Sequence, residues 1–443
     1  MLSSRATLEG YGVGNASASA TDALLLSVLQ DIFGRLITIA AAYYFGSSLM
    51  PEAKTYRFLA DVLIDIAIVL DTLSPLLASM PIFVALTDTI PIPFRVYTLF
   101  LSSAFRALCG IAAGGSKTAI SLHFATPLEG TGNLGDLNAK DASKETVLSL
   151  LGMLLGTVIV PNLTTPFLTY TALLILIIAH LSINYAAVRG IQFRTLNRQR
   201  ASIAWIGYRD GPHRSRRPDE PSRPYYYMTP YGVAQSERIF HKPDRICDGS
   251  KTLARCTIGS SFGSAVSVSA LSHGRVSGFL ENVLDIFSKE QYILWFDPAY
   301  LASPTSSFRA TGRPHIHICL KEGYTPSDQL KAWLNATEVA RMLEKQRWDL
   351  WDRTLRALRE NVVLATPTSE ALIATAYQLI NDQYADFVKT MHEVGWISTN
   401  ESKLELSVAL LPGPPESVVL GFIDGEDDYE GDENMVVEAK KVI

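Results

Sequence analysis

Apolar residues dominate the first 190 positions of the chain, in runs too long to be one face of an ordinary surface helix. The clearest run extends from Thr146 to Val188 and contains no Asp, Glu, Lys or Arg. Pro161 and Pro166 divide it. The first part, "TVLSLLGMLLGTVIV", is about fifteen residues long and crosses hydrocarbon only if its flanks contribute; the second, Phe167–Val188, meets the requirement of about 20 residues unaided. Arg189, Arg194, Arg198 and Arg200 follow at once, which points this end to the cytoplasm or an organelle's equivalent interior. The alternative is a pair of soluble core helices, hydrophobic on every side. Upstream, 36–50, 62–86 and 96–105 are apolar with helical period, but short or interrupted by acids. They read as core helices, re-entrant segments or membrane helices that bury charge, and Pro75, Pro81, Pro91 and Pro93 mark breaks between them.

The pattern then changes. "GYRDGPHRSRRPDEPSRP" (207–224) is rich in Pro and Arg without periodicity and reads as an exposed linker. Beyond it, 291–297 and 313–323 alternate like strands, whereas 327–363 and 369–396 carry the period of amphipathic helices. The end, "DGEDDYEGDENMVVE" (424–438), is an acidic run of the kind that stays solvated and disordered. These features predict a mainly α protein: a multi-helix membrane-associated N-terminal region (1–206), the linker (207–224), a smaller soluble α+β domain (225–423) and an acidic tail (424–443).

Composition narrows the function classes. Of 443 residues, 48% are hydrophobic and only 19% charged, an apolar balance for a soluble protein. A net charge of -5 without a basic surface speaks against nucleic acid as a partner. Cys109, Cys247, Cys256 and Cys319 lie far apart with no CxxC pair, so neither a disulfide framework nor a zinc module is expected.

Several motifs carry candidate chemistry. "CGIAAGGSKTAIS" (109–121) nearly spells a phosphate loop, but Ser116 pushes Lys117 and Thr118 one position out of register, and the preceding stretch is helical where a strand is needed. Small residues that let helices pack closely explain it better. On a helix Arg57, Asp61 and Asp65 follow one another at i+4 and share a face, where Arg57 pairs with Asp61. Between "VLI" and "IAIVL" such charges either form a structural ion pair or line a polar pathway. Removing Asp61 is expected to lower abundance more than removing Asp71. "NAKDASKET" (138–146) sets Lys140, Asp141, Lys144 and Glu145 before the long apolar run. It reads either as a helix start capped by Ser143 or as a polar cluster that joins Lys117 around an anion or headgroup. "HIHIC" places His315, His317 and Cys319 on one strand face, a poor arrangement for holding a single ion. No nucleophile elbow, zinc-protease motif or cofactor fingerprint occurs, so no enzyme, metal or cofactor is expected.

"GYGVGNASASATDALLLSVLQD", "KTYRFLADVLIDIAIVLDTLSP", "FRALCGIAAGGSKTAISLHFA" and "NLGDLNAKDASKETVLSLLGMLLG" together resemble the root UVB sensitive (RUS) family. Arg57, Phe58, Ala60, Asp61 and Asp65 fall in its R-F-x-A-D-x-x-x-D pattern, and Ala139, Lys140, Asp141, Ser143, Glu145 and Thr146 in its A-K-D-x-S-x-E-T pattern. A departure occurs near Asp31, where the family's D-G-x-G-R reads Asp31-Ile32-Phe33-Gly34-Arg35. The resemblance implies a membrane-associated, non-enzymatic protein with a role in vitamin B6-related homeostasis, some members acting in pairs; no catalytic residue carries over. The expected function is a carrier or transporter of a small anion, with Arg57, Asp61, Asp65, Lys117, Lys140, Asp141 and Glu145 as ligand-binding residues. Transport would require Arg57, Asp61, Lys117 and Lys140 to line one cavity. The competing expectation is a membrane scaffold that recruits soluble partners or other RUS proteins through its C-terminal domain. Expected partners are the lipid bilayer, a second family member and a small anionic metabolite.

Overall fold

The computed structural model describes residues 20–79, 94–126, 132–214, 226–263, 276–297, 313–360 and 369–397, with Ser4, Thr7 and Tyr300. Residues 10–18, the predicted breaks at Pro81, Pro91 and Pro93, and the acidic tail lie outside them. The N-terminal half is helical: α1 (Ala20–Phe45), α2 (Ala53–Ser79), α3 (Phe94–Ala125), α4 (Leu134–Ile159) and α5 (Pro166–Gly190). The pieces at 36–50 and 96–105 belong to longer helices, and Pro75 lies inside α2 rather than ending it. Four helices are long and apolar enough to cross a membrane, over 24–48, 96–125, 134–162 and 166–190. Their outer faces bear Leu148, Leu155, Val158, Ile175 and Leu176 exposed, and α4 has no buried residue. Apolar faces of this extent belong against lipid or another protein rather than water.

α2 packs chiefly against α3 and α5, and α1 against α3. Ser102 bonds the Ala67 carbonyl between α3 and α2, and Gln30 and Ser103 exchange bonds with the Leu99 and Gln30 carbonyls between α1 and α3. Of the small residues in the false phosphate loop, Gly115 is the one that permits a close approach: a Cβ there would meet Leu49 Cδ1 at 2.4 Å. Ser143 does not cap a helix. α4 starts ten residues earlier, where the Asn133 side chain accepts from the Asp136 N–H and Asp136 sits in the first turn. Thr-Pro marks three other helix starts. Thr165 and Thr229 cap the N–H groups of Leu168 and Gly232, and Thr325 and Asp328 cap one another's N–H, each with Pro at the first helical position.

The C-terminal region comprises α6 (Arg198–Arg214), α7 (Pro230–Ser236), β1 (Arg245–Asp248), β2 (Lys251–Ile258), α8 (Val276–Ile286), β3 (Tyr292–Phe296), β4 (His315–Leu320), α9 (Pro326–Glu360) and α10 (Ser369–Glu393). The four strands lie in the order β1-β2-β4-β3. β1–β2 is an antiparallel hairpin, β2 and β4 are parallel (Cys256 opposite Ile316), and β3 returns antiparallel to β4 (Trp295 opposite His317). The predicted strands are β3 and β4. The β1–β2 hairpin was not anticipated from sequence; Asp248 pairs with Lys251, and the two-residue loop Gly249-Ser250 has Gly249 at φ 55° as such a turn demands. α9 lies across β2, β3 and β4, α10 packs on α9, and their apolar faces enclose Trp295, Trp333, Phe287 and Phe387.

α6 alters the expected domain edges. Its Ala201, Ala204 and Trp205 belong to this C-terminal core, although they precede the expected boundary at 206. Trp205 Nε1 donates to Glu338 Oε2 at 2.9 Å, and Trp333 Nε1 to Ser202 Oγ at 2.9 Å. The helix continues through the first eight residues of the predicted linker, to Arg214; 215–225 lie outside the described residues. Tertiary bonds explain helix where local propensity is weak: Tyr208 to Asp386, Arg209 to Gln383 and Arg341 to Asp210 fasten three successive residues.

Candidate functional site

α2 carries the polar face that its sequence spacing required. Asp61, Asp65 and Asp71 are 5%, 6% and 2% exposed, inside an otherwise apolar bundle. Arg57 reaches Asp61 Oδ1 at 3.7 Å, a loose pair, and Asp61 Oδ2 is buried with no hydrogen-bond partner among the described residues. Asp71 is held more tightly, by Arg106 of α3 at 2.5 Å. The structure therefore ranks Asp71 above Asp61 as a structural ion pair, the reverse of the sequence expectation.

Asp65 has a partner that no charge count revealed. His180 Nδ1 lies 3.0 and 2.9 Å from its two carboxylate oxygens. His180 falls near the middle of α5, ten residues or about 15 Å from its Gly190 end. Asn184 caps the turn below by donating to the His180 carbonyl. Around the Asp65–His180 pair the facing groups are Arg57 and Asp61 from α2 and Asn184 from α5. Asp61 acts electrostatically on Cys109 of α3, which marks the level of that helix opposite it. An ionisable pair near the middle of two packed helices, one turn from an acid whose second oxygen has no partner among the described residues, forms a candidate polar site.

Lys117 lies elsewhere. Eight residues beyond Cys109 on α3 place it about 12 Å farther along the axis. It bonds Glu145 Oε1 at 2.7 Å and lies 3.1 Å from Asp141 Oδ2, both on α4, and all three side chains are well exposed. Lys140 turns away and pairs with Asp136 at 2.7 Å. The structure thus gathers Arg57, Asp61 and Asp65 into one group and Lys117, Asp141 and Glu145 into another, with Lys140 in neither. The single cavity lined by Arg57, Asp61, Lys117 and Lys140 is not formed: Lys117 clamps α4 to α3, and Lys140 completes an i,i+4 pair on the surface of α4.

At the foot of the bundle a buried charge network joins the two halves. Glu237 binds Lys54 of α2 at 2.6 Å and Arg200 of α6 at 3.0 Å, and all three side chains are 5% exposed or less. Arg200 also donates to the Thr195 and Pro51 carbonyls and stacks on Phe193 at 4.7 Å. Asn197 bonds the Pro51 carbonyl and Glu52, and Thr55 bonds the Ile239 carbonyl. Burial lowers the Lys54 ammonium pKa, which Glu237 opposes; burial also raises that of the Glu52 carboxyl against the pull of Arg198 and Arg200. Of the arginines that follow α5, Arg200 is thus a buried structural cation and Arg194 donates to the Thr126 carbonyl.

His315, His317 and Cys319 share the half-covered face of β4, as alternation requires. His315 meets Thr257 Oγ1 at 2.8 Å, His317 Nδ1 meets Ser260 Oγ at 3.2 Å, and the two rings stack 4.1 Å apart. Burial and the neighbouring His315 push His317 down to about 4. No group of three or more His, Cys, Asp or Glu side chains able to hold a metal occurs among the described residues.

Residues 1–210 match a family model described as a vitamin B6 photo-protection and homoeostasis domain. Residues 307–407 match a second, described as the C-terminal region of root UVB sensitive protein. The chain is 32% identical over 207 residues to RUS family member 1 of Dictyostelium discoideum, covering 46% of this chain and 36% of that protein. It is 35% identical over 205 residues to protein root UVB sensitive 3 of Arabidopsis thaliana, covering 46% of this chain and 42% of that protein. With protein root UVB sensitive 5 of the same plant the identity is 28% over 216 residues, 46% of this chain and 38% of that one. The chain thus spans about two fifths of the length of the curated relatives it matches. No solved structure matches.

Proposed function

The chain belongs to the root UVB sensitive family, and on that premise we propose that it is an integral membrane carrier, not an enzyme, that moves a small anion in vitamin B6-related homeostasis with a proton as its companion. The vitamin B6 link comes from the description of the matching N-terminal domain. The single cavity first expected for transport is not formed, so the carrier reading rests on a different observation: the Asp65–His180 pair, halfway along two packed helices and beside an Asp61 oxygen with no hydrogen-bond partner among the described residues. A charge at bilayer depth costs roughly 2.5–3.5 kcal/mol on insertion scales and is retained chiefly where it serves a path for ions or protons. An anion that crosses alone leaves its charge uncompensated. A proton taken up by the pair offsets that charge.

Full-length protein reconstituted in liposomes with an internal pH dye tests the reading. An inward gradient of pyridoxine 5′-phosphate should acidify the lumen in step with uptake, and the compound should be recovered chemically unchanged; alkalinisation refutes the companion proton. Asp65→Asn should abolish both signals while Asp136→Asn, on exposed α4, leaves them intact. Uptake equal to that of protein-free liposomes transfers the function to the scaffold reading, in which soluble partners or another family member dock on the C-terminal region. Uptake that survives Asp65→Asn refutes the proton role.

A further inference from the structure

Below the bundle, a cleft of about 570 Å³ opens where four segments meet: the end of α3, the chain after α5, the start of α7 and the turn after α10. Its walls are aromatic and aliphatic, from Phe124, Ile191 and Tyr231, with Gln192 and Arg194 at the polar side and His123 behind. A volume in the range 300–1,000 Å³ suits a whole small molecule rather than a lone inorganic ion. The cleft lies at the ends of two helices able to span a membrane, and its aromatic residues Phe124 and Tyr231 are exposed. That is the level at which amphipathic rings mark a membrane's water boundary.

The charge in this cleft has one sign. Among the described residues Arg194 is the only formally charged one lining it, in a chain whose net charge is -5. One arm of its guanidinium is anchored on the Thr126 carbonyl, which fixes the plane, and no other side-chain bond to it occurs among the described residues. Behind the wall, Arg200 and Lys54 also act on His123, and both are paired with Glu237. His123 Nδ1 is buried and has no hydrogen-bond partner among the described residues. An anchored guanidinium is suited to bidentate recognition of a phosphate, and it keeps its charge at every accessible pH.

We propose that this cleft binds a phosphate monoester carried on a flat ring, with the phosphate at Arg194 and Gln192 and the ring against Phe124 and Tyr231. It rests on the carrier reading above, for which it supplies the docking site on the side of the C-terminal region. A lipid headgroup phosphate has the same chemistry but lacks the ring.

Equilibrium binding to the full-length protein in phosphatidylcholine nanodiscs tests this. Pyridoxine 5′-phosphate should bind at least about tenfold more tightly than pyridoxine or inorganic phosphate. Gln192→Glu sets a carboxylate at an exposed position of the cleft and should weaken the ester by about tenfold with no change in melting temperature. Arg194→Lys, which keeps the charge and loses the fork, should fall between the two. The Asp65→Asn protein should bind the ester normally, so that a failure of transport and a failure of docking give separate results. Equal binding of pyridoxine and its phosphate, or wild-type affinity in Gln192→Glu, overturns the proposal. Loss of ester binding when phosphatidic acid is added to the discs identifies a lipid as the occupant and overturns it as well.

Discussion

Replacing Glu237 by Gln removes one carboxylate from between two buried cations. Lys54 and Arg200 lie 2.6 and 3.0 Å from its two oxygens, and the three side chains are almost fully enclosed. Breaking a buried ion pair from one side costs about 3–5 kcal/mol, because the remaining charge is left uncompensated out of water. Arg200 cannot escape this by losing its proton, but Lys54 can. Its pKa is already lowered by burial and held up by Glu237, so without that acid it falls further. A folded-state pKa below the unfolded value means that the unfolded chain binds more protons, so stability rises with pH until the unfolded lysine titrates. The variant enters that window at lower pH than the wild type. Its deficit should therefore narrow between pH 7 and 9, by at most about 2.7 kcal/mol at 1.36 kcal/mol per unit. Urea midpoints read by tryptophan fluorescence suit the measurement, since Trp205, Trp295, Trp333 and Trp396 are all buried in the C-terminal core. Lys54→Met is the companion: it leaves Glu237 with Arg200 and should cost less than Glu237→Gln. A deficit under about 1 kcal/mol, far below the buried-pair range, or one that does not change with pH, would refute the reasoning.

Two further perturbations test other parts of the structure. At Gly115 a Cβ would strike buried Leu49, whereas at Gly114 it meets nothing within 4 Å; Gly114→Ala should raise the thermal midpoint in detergent by relieving helix entropy, while Gly115→Ala should lose about 1–3 kcal/mol to overpacking. His317 sits at about 4 through burial and the stacked His315, which itself feels Arg255 and Asp244. The folded state therefore resists protonation, stability should fall as pH drops from about 6.5 toward 4, and His317→Gln should flatten that fall in melts recorded across the range.

The helices of the bundle were legible because hydrocarbon length and proline punctuation act locally. Phe167–Val188 became the helix Pro166–Gly190 with little adjustment. Elements whose stability comes from elsewhere in the chain were harder to read. "GYRDGPHR" has no helical pattern of its own, and it is helix because Tyr208, Arg209 and Asp210 find Asp386, Gln383 and Arg341 more than 130 residues away. Packing across the expected domain edge was hidden for the same reason. Trp205 belongs with Glu338, and composition changes only after the linker that follows it.

The candidate site divides along the same line. Arg57, Asp61 and Asp65 could be placed on one face because i+4 spacing is a property of one helix. The partner of Asp65 could not, because His180 stands 115 residues away on a different helix. A signal for it did exist. Thr146–Val188 is free of Asp, Glu, Lys and Arg, but His180 is an ionisable residue near the centre of its second apolar segment. Histidine is neutral in a formal charge count yet titrates near physiological pH. In an apolar helix able to span a membrane, a histidine is a costly polar group that calls for a partner from a neighbouring helix. α2 is the helix that packs against α5 and brings acids to that level, and of these Asp65 is the one the geometry delivers. Lys117 shows the opposite case: its spacing raised nucleotide binding and an anion site, yet its partners are two carboxylates on α4. A lysine already bonded to two acids has little charge left to offer an anion, and the anion site proposed above therefore rests on Arg194, which faces no carboxylate in the cleft among the described residues.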